Sequence, residues 1–282
     1  MRKSFLLLCL AAVCSLNAAE CRKHFHPYVG ANEKGVPFYF ENKLNNYVIT
    51  FRYTNPTPTH PPFVLAGMPA PVNLNGFSRY SFTHLVVNGI DSRKLEPQKF
   101  EIFNTRESAG VDVVYNFNGI KMILRFEMND SSPLLYMQWK RGKDVPAGAI
   151  RKMSIHFNVM PCASGQKRNS YSREIVTPRG VLKSPAKVTR KRHKLSVRDR
   201  FLILQDAVYQ PGGKPKITSP VLLVPEWKTL RSGFATFGTA QDMSISFELA
   251  PESSSWRFGL LDTPKQQGNK AFAGFCQKYT EQ

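Results

Sequence analysis

The chain has 282 residues and a formal net charge of +19, with 39 Lys and Arg against 20 Asp and Glu. This length fits one large β domain or two small ones and can bury a substantial core. The five cysteines include no C-x-x-C pair, and no His-x-x-x-His pair is present. We therefore expect no structural zinc site, no other metal and no cofactor.

The N-terminus has the features of a secretory signal. Arg2 and Lys3 precede the apolar run Phe5–Leu16, and Asn17-Ala18-Ala19 offers small residues for cleavage. The run is shorter than the roughly 20 residues of a spanning helix, and no second apolar segment of that length follows. We expect a signal peptide over residues 1–19 and an exported mature chain, periplasmic or extracellular, without a transmembrane segment.

Three cysteines remain after removal of the signal: Cys21, Cys162 and Cys276. An odd number allows at most one internal disulfide, and an oxidising compartment permits Cys162–Cys276 or Cys21–Cys276. The sequence leaves both pairings open.

A two-residue alternation of apolar and polar side chains recurs along the chain, which is typical of strands with one buried face. Cys21–Pro37 is predicted to be irregular, and Thr54–Pro62 is predicted to be a loop because proline cannot donate to a sheet ladder. Outside a central meander, the predicted strands are Phe38–Glu41, Asn46–Tyr53, Phe82–Val87, Glu101–Asn104, Ile150–Val159, Phe201–Gln205, Val221–Val224, Gly233–Phe237, Met243–Leu249 and Trp256–Leu261.

The central meander spans Gly110–Lys140 and has the clearest pattern. Its predicted core face is Val111, Val113, Tyr115 and Phe117, followed by Ile120, Met122, Leu124, Phe126 and Met128. Asn118-Gly119 between the two runs predicts a two-residue type I′ turn. A third strand, Leu134–Lys140, follows the loop Asn129–Pro133.

Only the C-terminal tail has helical spacing. Asp262-Thr263-Pro264 resembles a cap with proline in the first turn, and Phe272, Phe275 and Tyr279 recur beyond it. At least ten strands and one terminal helix predict an all-β fold: a large antiparallel β-sandwich, supersandwich-like, with a short C-terminal helix. No repeat or linker interrupts residues 20–282, so we expect a single domain.

Positive charge is concentrated between Gly165 and Arg200, where twelve basic residues face only Glu174 and Asp199. We expect a basic loop or hairpin at about 165–200. Export argues against a nuclear signal, and the segment lacks interleaved aromatics for stacking bases, so no nucleic-acid partner is expected. Attraction to an anionic envelope surface and a plain solvated hairpin remain open.

Several segments resemble the galactose-mutarotase-like, or supersandwich, β domains. Val113–Phe126 is similar to their long hairpin, Ser132–Trp139 to the next strand, Ile150–Ile155 to the one after, and Phe40–Asn42 to the opening strand. The resemblance implies a concave sheet face that receives sugars. It also implies kinship with aldose epimerases, polysaccharide lyases and accessory modules of glycoside hydrolases.

Epimerases of that family use a histidine acid and a glutamate base. No local motif ties His84 or His156 to Glu127 or Glu248, which favours a non-enzymatic or divergent member.

The candidate ligand residues are predicted on the polar side of the meander and in nearby loops. There Trp139 would stack on a sugar ring while Arg125 and Glu127 bond its hydroxyls. The alternative is a cross-strand ion pair beside a core tryptophan. Further candidates, each with a structural alternative, are Trp227 (loop ligand or end plug), Arg173 (carboxylate grip or solvated loop) and His84 (rim site or structural residue).

Three functions remain open from the sequence. The first is a secreted carbohydrate-associated sandwich that binds glycan without turning it over. The second is an enzyme of the same architecture, a polysaccharide lyase or sugar epimerase. The third is an envelope protein that contacts anionic surface polymers. Because the chain is basic, we expect acidic polysaccharides to bind more tightly than neutral ones.

Overall fold

A computed structural model describes residues 19–23, 34–53, 63–67, 83–159, 173–183, 191–206, 221–237 and 243–262. The strands are β1 (Glu20–Lys23), β2 (Lys34–Glu41), β3 (Asn46–Tyr53), β4 (Phe63–Gly67), β5 (Thr83–Val87), β6 (Ile90–Asp91), β7 (Lys99–Asn104), β8 (Ser108–Phe117), β9 (Ile120–Asn129), β10 (Leu135–Arg141), β11 (Met153–Val159), β12 (Arg173–Thr177), β13 (Gly180–Lys183), β14 (Lys191–Leu195), β15 (Leu202–Asp206), β16 (Val221–Pro225), β17 (Leu230–Phe237), β18 (Met243–Leu249) and β19 (Ser255–Asp262). Short 3₁₀ turns lie at Ser92–Lys94, Ala147–Ala149 and Trp227–Thr229.

The strands form three antiparallel sheets. The nine-stranded sheet has the order β13-β12-β15-β16-β19-β10-β9-β8-β7, and the six-stranded sheet has the order β14-β17-β18-β11-β5-β6. The four-stranded sheet runs β1-β2-β3-β4. This architecture confirms the all-β antiparallel prediction. The predicted C-terminal helix lies outside the described residues.

One face of the nine-stranded sheet packs against both smaller sheets. Toward the six-stranded sheet, Phe258 of β19 lies 5.2 Å from Phe157 and 5.5 Å from Phe247, measured between ring centroids. Toward the four-stranded sheet, Phe100 of β7 lies 5.5 Å from Phe38 and 5.2 Å from Phe51. Buried side chains from all three sheets share one large hydrophobic cluster, and a second, smaller cluster contains Leu134, Phe201, Leu222 and Leu261. We call the opposite face of the nine-stranded sheet the outer face.

The Asn118-Gly119 turn has the predicted geometry. The φ angles of Asn118 and Gly119 are 52° and 89°, the left-handed values that a type I′ turn requires. The turn pairs Phe117 with Ile120 and so sets the register of β8 on β9. The predicted core residues from Val111 to Met128 accordingly face the interior.

The N-terminal region is more regular than predicted. Residues of the expected irregular segment Cys21–Pro37 belong to β1 and to the start of β2. Pro37 lies within β2, opposite Thr50 of β3. Cys21 is buried with a free thiol, and burial, followed by the Glu20 charge, raises its pKa to about 12. Cys162 and Cys276 lie outside the described residues.

The basic segment contains strands in both layers of the sandwich. Arg173–Thr177 and Gly180–Lys183 form the hairpin β12–β13 at one edge of the nine-stranded sheet. Lys191–Leu195 forms β14 at the edge of the six-stranded sheet. The many charges of these strands, which suggested a loop or hairpin, are typical of sheet edges, where charge discourages pairing with other chains.

Replacing Gly110 with Ala tests the packing of β8 beneath an aromatic ring. A Cβ at this position would lie 2.2 Å from the Phe126 carbonyl oxygen and 2.6 Å from the Phe103 ring. Because backbone cannot move aside, we expect Gly110→Ala to lower the free energy of unfolding by about 1–3 kcal/mol in urea denaturation. Gly148→Ala is the matched control, since a Cβ there meets nothing within 4 Å. Equal losses for the two variants would contradict this packing.

Candidate functional site

A row of polar side chains crosses the outer face of the nine-stranded sheet. Arg125 of β9 is opposite Asp112 of β8 on one side and Gln138 of β10 on the other. Gln138 is in turn opposite Arg257 of β19. These residues alternate with the core residues of the same strands, so strand geometry alone brings them to one surface.

The row opens into a cleft of about 540 Å³ at the end of the sheet that carries the β9–β10 loop. Its lining residues are Glu107, Ser108, Glu127, Asn129, Asp130, Ser131, Gln138 and Arg257. They come from four neighbouring strands, β8, β9, β10 and β19, and from the two loops that join β7 to β8 and β9 to β10. The lining is mainly polar, with three carboxylates and one guanidinium group.

Two arginines near the cleft are held flat against aromatic rings. The Arg257 guanidinium lies 3.8 Å from the centre of the Tyr136 ring, and Arg125 lies 4.3 Å from that of Phe103. Arg125 also donates from Nε to Asp112 Oδ1 at 2.6 Å and from a terminal nitrogen to Oδ2 at 2.5 Å. The Asp112 hydrogen bonds raise the pKa of Arg125, so this residue is a fixed cation beside the cleft.

The loop wall of the cleft is held in place by the four-stranded sheet. The Asn42 amide donates to the carbonyl oxygens of Asn129 at 2.6 Å and Ser132 at 2.8 Å. The Tyr47 hydroxyl donates to the Pro133 carbonyl at 2.7 Å. Because both ends of the loop are fixed, Asp130 and Ser131 are presented on an ordered backbone.

The expectation that Trp139 shares the polar side with Arg125 and Glu127 is wrong. Trp139 is opposite Leu124 in the register, whereas Arg125 is opposite Gln138. The indole is therefore buried in the core, 5.4 Å from the Tyr115 ring. After the loop between β9 and β10, the residues of β10 therefore face the opposite sides from those that the sequence analysis predicted. A core indole cannot stack on a ligand at the outer face.

Of the predicted ligand residues, Glu127 lines the cleft and Arg125 lies beside it. Trp227 lies elsewhere, in a 3₁₀ turn before β17. Its Nε1 donates to the Asp199 carbonyl at 2.9 Å, and its ring meets Phe247 edge-on at 5.6 Å. These contacts correspond to the end-plug interpretation. Arg173 begins β12 opposite Asp206, away from the cleft.

His84 lies on the six-stranded sheet, directly opposite His156. The two imidazoles stack with centroids 4.8 Å apart, and Ser154 Oγ is 3.0 Å from His156 Nε2. Burial, followed by the Arg93 charge, lowers the pKa of His84 to about 3. Within the described ranges neither histidine hydrogen-bonds a carboxylate, so the histidine–glutamate pair of the epimerases is not assembled from them.

Most of the cleft was not found from the sequence. Asn129, Asp130 and Ser131 were predicted only to form a loop, and Gln138 was not among the candidate ligand residues. Arg257 comes from β19, which is far along the chain from the meander. The sequence feature that could have indicated the cleft was the polar loop Asn129–Ser132, which lies between two strongly alternating strands.

The comparisons with known proteins show the fold. No protein-family model and no curated protein matches the chain. Among solved structures, the chain resembles the alpha-N-acetylgalactosaminidase NagBb from Bifidobacterium bifidum in its GalNAc complex, at 10% identity and a TM-score of 0.51. The match covers 94% of this chain and 38% of that one, so the chain spans well under half of the enzyme's length.

Two further structures match less well. The GH36 alpha-galactosidase AgaA from Geobacillus stearothermophilus has 9% identity, covers 81% of this chain and 40% of its own, and gives a TM-score of 0.43. A TPR-domain containing protein from Parabacteroides distasonis has 9% identity, with 83% and 50% covered and a TM-score of 0.46.

Two structural features are absent from the described residues. No group of three or more His, Cys, Asp or Glu is arranged to hold a metal ion within those ranges. The same part of the chain has no helix that is long and apolar enough to cross a membrane.

The neutral His84 predicts a pH-dependent stability. Folded His84 stays unprotonated down to about pH 3, whereas the unfolded residue takes up a proton below about pH 6.5. The unfolded state therefore binds more protons in this window, and the free energy of unfolding should fall as pH falls, by at most about 1.4 kcal/mol per pH unit. His84→Asn should reduce this slope in urea titrations between these limits. An NMR titration of the His84 imidazole with a midpoint near 6.5 would contradict the assignment.

Proposed function

We propose that this chain is an exported carbohydrate-binding β-sandwich whose ligand site is the cleft on the outer face of the nine-stranded sheet. The observation that carries the proposal is the cleft itself, a concave surface of about 540 Å³ with convergent polar groups on a rigid sheet. Its volume lies within the range of small-molecule sites, roughly 300–1,000 Å³.

The lining groups suit the hydroxyl groups of a sugar. Glu127 accepts hydrogen bonds, Arg257 donates them, and the Gln138 amide does both. All three project from adjacent strands, which hold them at fixed spacing. The Tyr136 ring and the Arg257 plane stacked on it provide a flat surface beside the cleft for the apolar face of a pyranose.

The charge of the lining indicates which sugars fit. Glu107, Glu127 and Asp130 oppose the single cation Arg257, so the cleft is locally acidic in a basic protein. Carboxylated sugars would be repelled at this position. We therefore propose neutral or amino sugars as ligands of the cleft, in place of the acidic polysaccharides suggested by the net charge of the chain.

Binding without turnover is the favoured role. The resemblance to mutarotase-like domains suggested a histidine–glutamate pair, and His84 and His156 lie in the other layer from Glu127. The similarity to an alpha-N-acetylgalactosaminidase concerns the fold and supports a sugar ligand only by analogy. A lyase or epimerase remains the alternative because Glu107 and Glu127 place two carboxylates in one cleft.

A glycan array followed by calorimetry tests the proposal. We expect neutral or amino sugars to be retained, and Glu127→Gln and Gln138→Ala each to weaken binding about tenfold, because each removes hydrogen bonds to the ligand. Glu248→Gln is the matched control, since Glu248 is exposed on the six-stranded sheet.

Unchanged affinity in both cleft variants would place the ligand elsewhere. Parallel incubations would be analysed for bond cleavage or epimerisation of the retained sugar. Either reaction, if abolished in Glu127→Gln, would establish the enzymatic alternative.

A further inference from the structure

A second surface lies where the edges of the two large sheets meet. We call residues 179–183 and 191–200 the cationic edge. They include β13, the outermost strand of the nine-stranded sheet, and β14, the outermost strand of the six-stranded sheet. Arg179 joins the two layers by donating from a terminal nitrogen to the Lys194 carbonyl at 3.4 Å. Three strands separate this edge from β19 and the cleft.

A buried aspartate holds the cationic edge in shape. The Asp199 side chain is fully buried and accepts from Arg179 Nε at 2.7 Å and from the Ser196 backbone N–H at 2.8 Å. The Asp199 carbonyl accepts from Trp227 Nε1 at 2.9 Å. Burial opposes ionisation of Asp199, but the Arg179 and Ser196 hydrogen bonds outweigh it and hold its pKa below the ordinary value. The loop Ser196–Arg200 is therefore anchored at its centre.

The anchored loop presents cations to solvent. The exposed cations of β14 and this loop are Lys191, Arg192, Lys194, Arg198 and Arg200. None of the five forms an ion pair with a carboxylate in the described ranges. Asp199, the acidic residue of this loop, is instead paired with Arg179. Within the described ranges, Arg179 and Lys183 of the edge are paired with Asp199 and Glu174, whereas the charges of these five residues are not neutralised by an ion pair.

Apolar side chains lie among these cations. Val197 is 67% exposed and Val181 is 46% exposed, more than any other large hydrophobic residue in the described part of the chain. Val197 is next to Arg198 at the tip of the anchored loop, and Val181 follows the β12–β13 turn beside Arg179. A surface of cations with apolar side chains between them is complementary to the interface of an anionic bilayer. There the headgroups attract cations and the acyl chains accept apolar groups.

We propose that the cationic edge docks on anionic lipid surfaces. Lys194, Arg198 and Arg200 contact the headgroups, and Val197 enters the interface between them. A soluble acidic polymer would also bind these cations, but contact with an exposed valine would add nothing to its affinity. The edge has no exposed aromatic side chains to stack bases, which disfavours nucleic acid. This surface is independent of the cleft and of the sugar-binding proposal.

Vesicle co-sedimentation of the full mature chain tests this docking. We expect binding to vesicles of mixed phosphatidylglycerol and phosphatidylcholine, little binding to phosphatidylcholine alone, and steep weakening with salt. Arg198→Ser/Arg200→Ser should lower partitioning about 25-fold, at about fivefold per charge. Lys143→Ser/Arg151→Ser removes the same charge from other exposed positions and should have little effect.

Val197→Ser separates a lipid surface from other polyanions. The residue is exposed, so the fold should be unaffected, while partitioning should fall about fivefold because a buried methyl pair is lost from the interface. Equal losses in the two double variants would refute the proposal, as would unchanged partitioning of Val197→Ser. Binding to a soluble acidic polysaccharide but not to the vesicles would refute the lipid assignment and leave an edge that recognises polyanions.

Discussion

The register of β8 on β9 is the constraint on which the remaining structure depends. The left-handed pair Asn118-Gly119 pairs Phe117 with Ile120, and every later residue of the hairpin inherits its face from that pairing. A slip of one residue would exchange the core and solvent faces along the whole hairpin. Phe126 would lose its ring contacts with Phe40 and Phe51 of the four-stranded sheet, at 6.4 and 6.2 Å. Arg125 would enter the core without Asp112. The type I′ turn therefore determines both the packing of the two layers and the position of the candidate site.

The same alternation explains why the cleft is rigid. Glu127, Gln138 and Arg257 belong to strands whose other faces fill the core, so their backbones cannot shift without disturbing that packing. The remaining wall is a loop, and Asn42 and Tyr47 fix it from a different sheet. The four-stranded sheet thus has a role beyond covering β7 to β9, because it orders the backbone that carries Asp130 and Ser131. Preorganisation of this kind lowers the entropic cost of binding.

Features that are set by neighbouring residues could be predicted from the sequence, whereas features that are set by contacts between distant parts of the chain could not. Local alternation and the Asn-Gly turn correctly predicted the core residues of β8 and β9 and the all-β class. Trp139 was misplaced because a loop of several residues separates β9 from β10, and such a loop does not set the register as a two-residue turn does. Arg257 joins the site through pairing of β10 with β19, a long-range contact without a local signal. The prediction for the basic segment left a loop and a hairpin open, because charged edge strands have the composition of loops.

The net charge of +19 does not describe the charge around each of the two candidate binding surfaces. Electrostatic attraction acts over about 8 Å at physiological ionic strength, so a bound molecule responds to the groups around it and not to the total. The groups that line the cleft are three carboxylates and Arg257, with the Arg125–Asp112 ion pair beside them. At the cationic edge they include five lysines and arginines that form no ion pair within the described ranges. Arg179 and Asp199 sharpen the contrast, because their pairing removes the one buried anion from the field of the edge. A single basic chain therefore presents two surfaces of opposite local sign, and the ligands proposed for them would occupy separate positions.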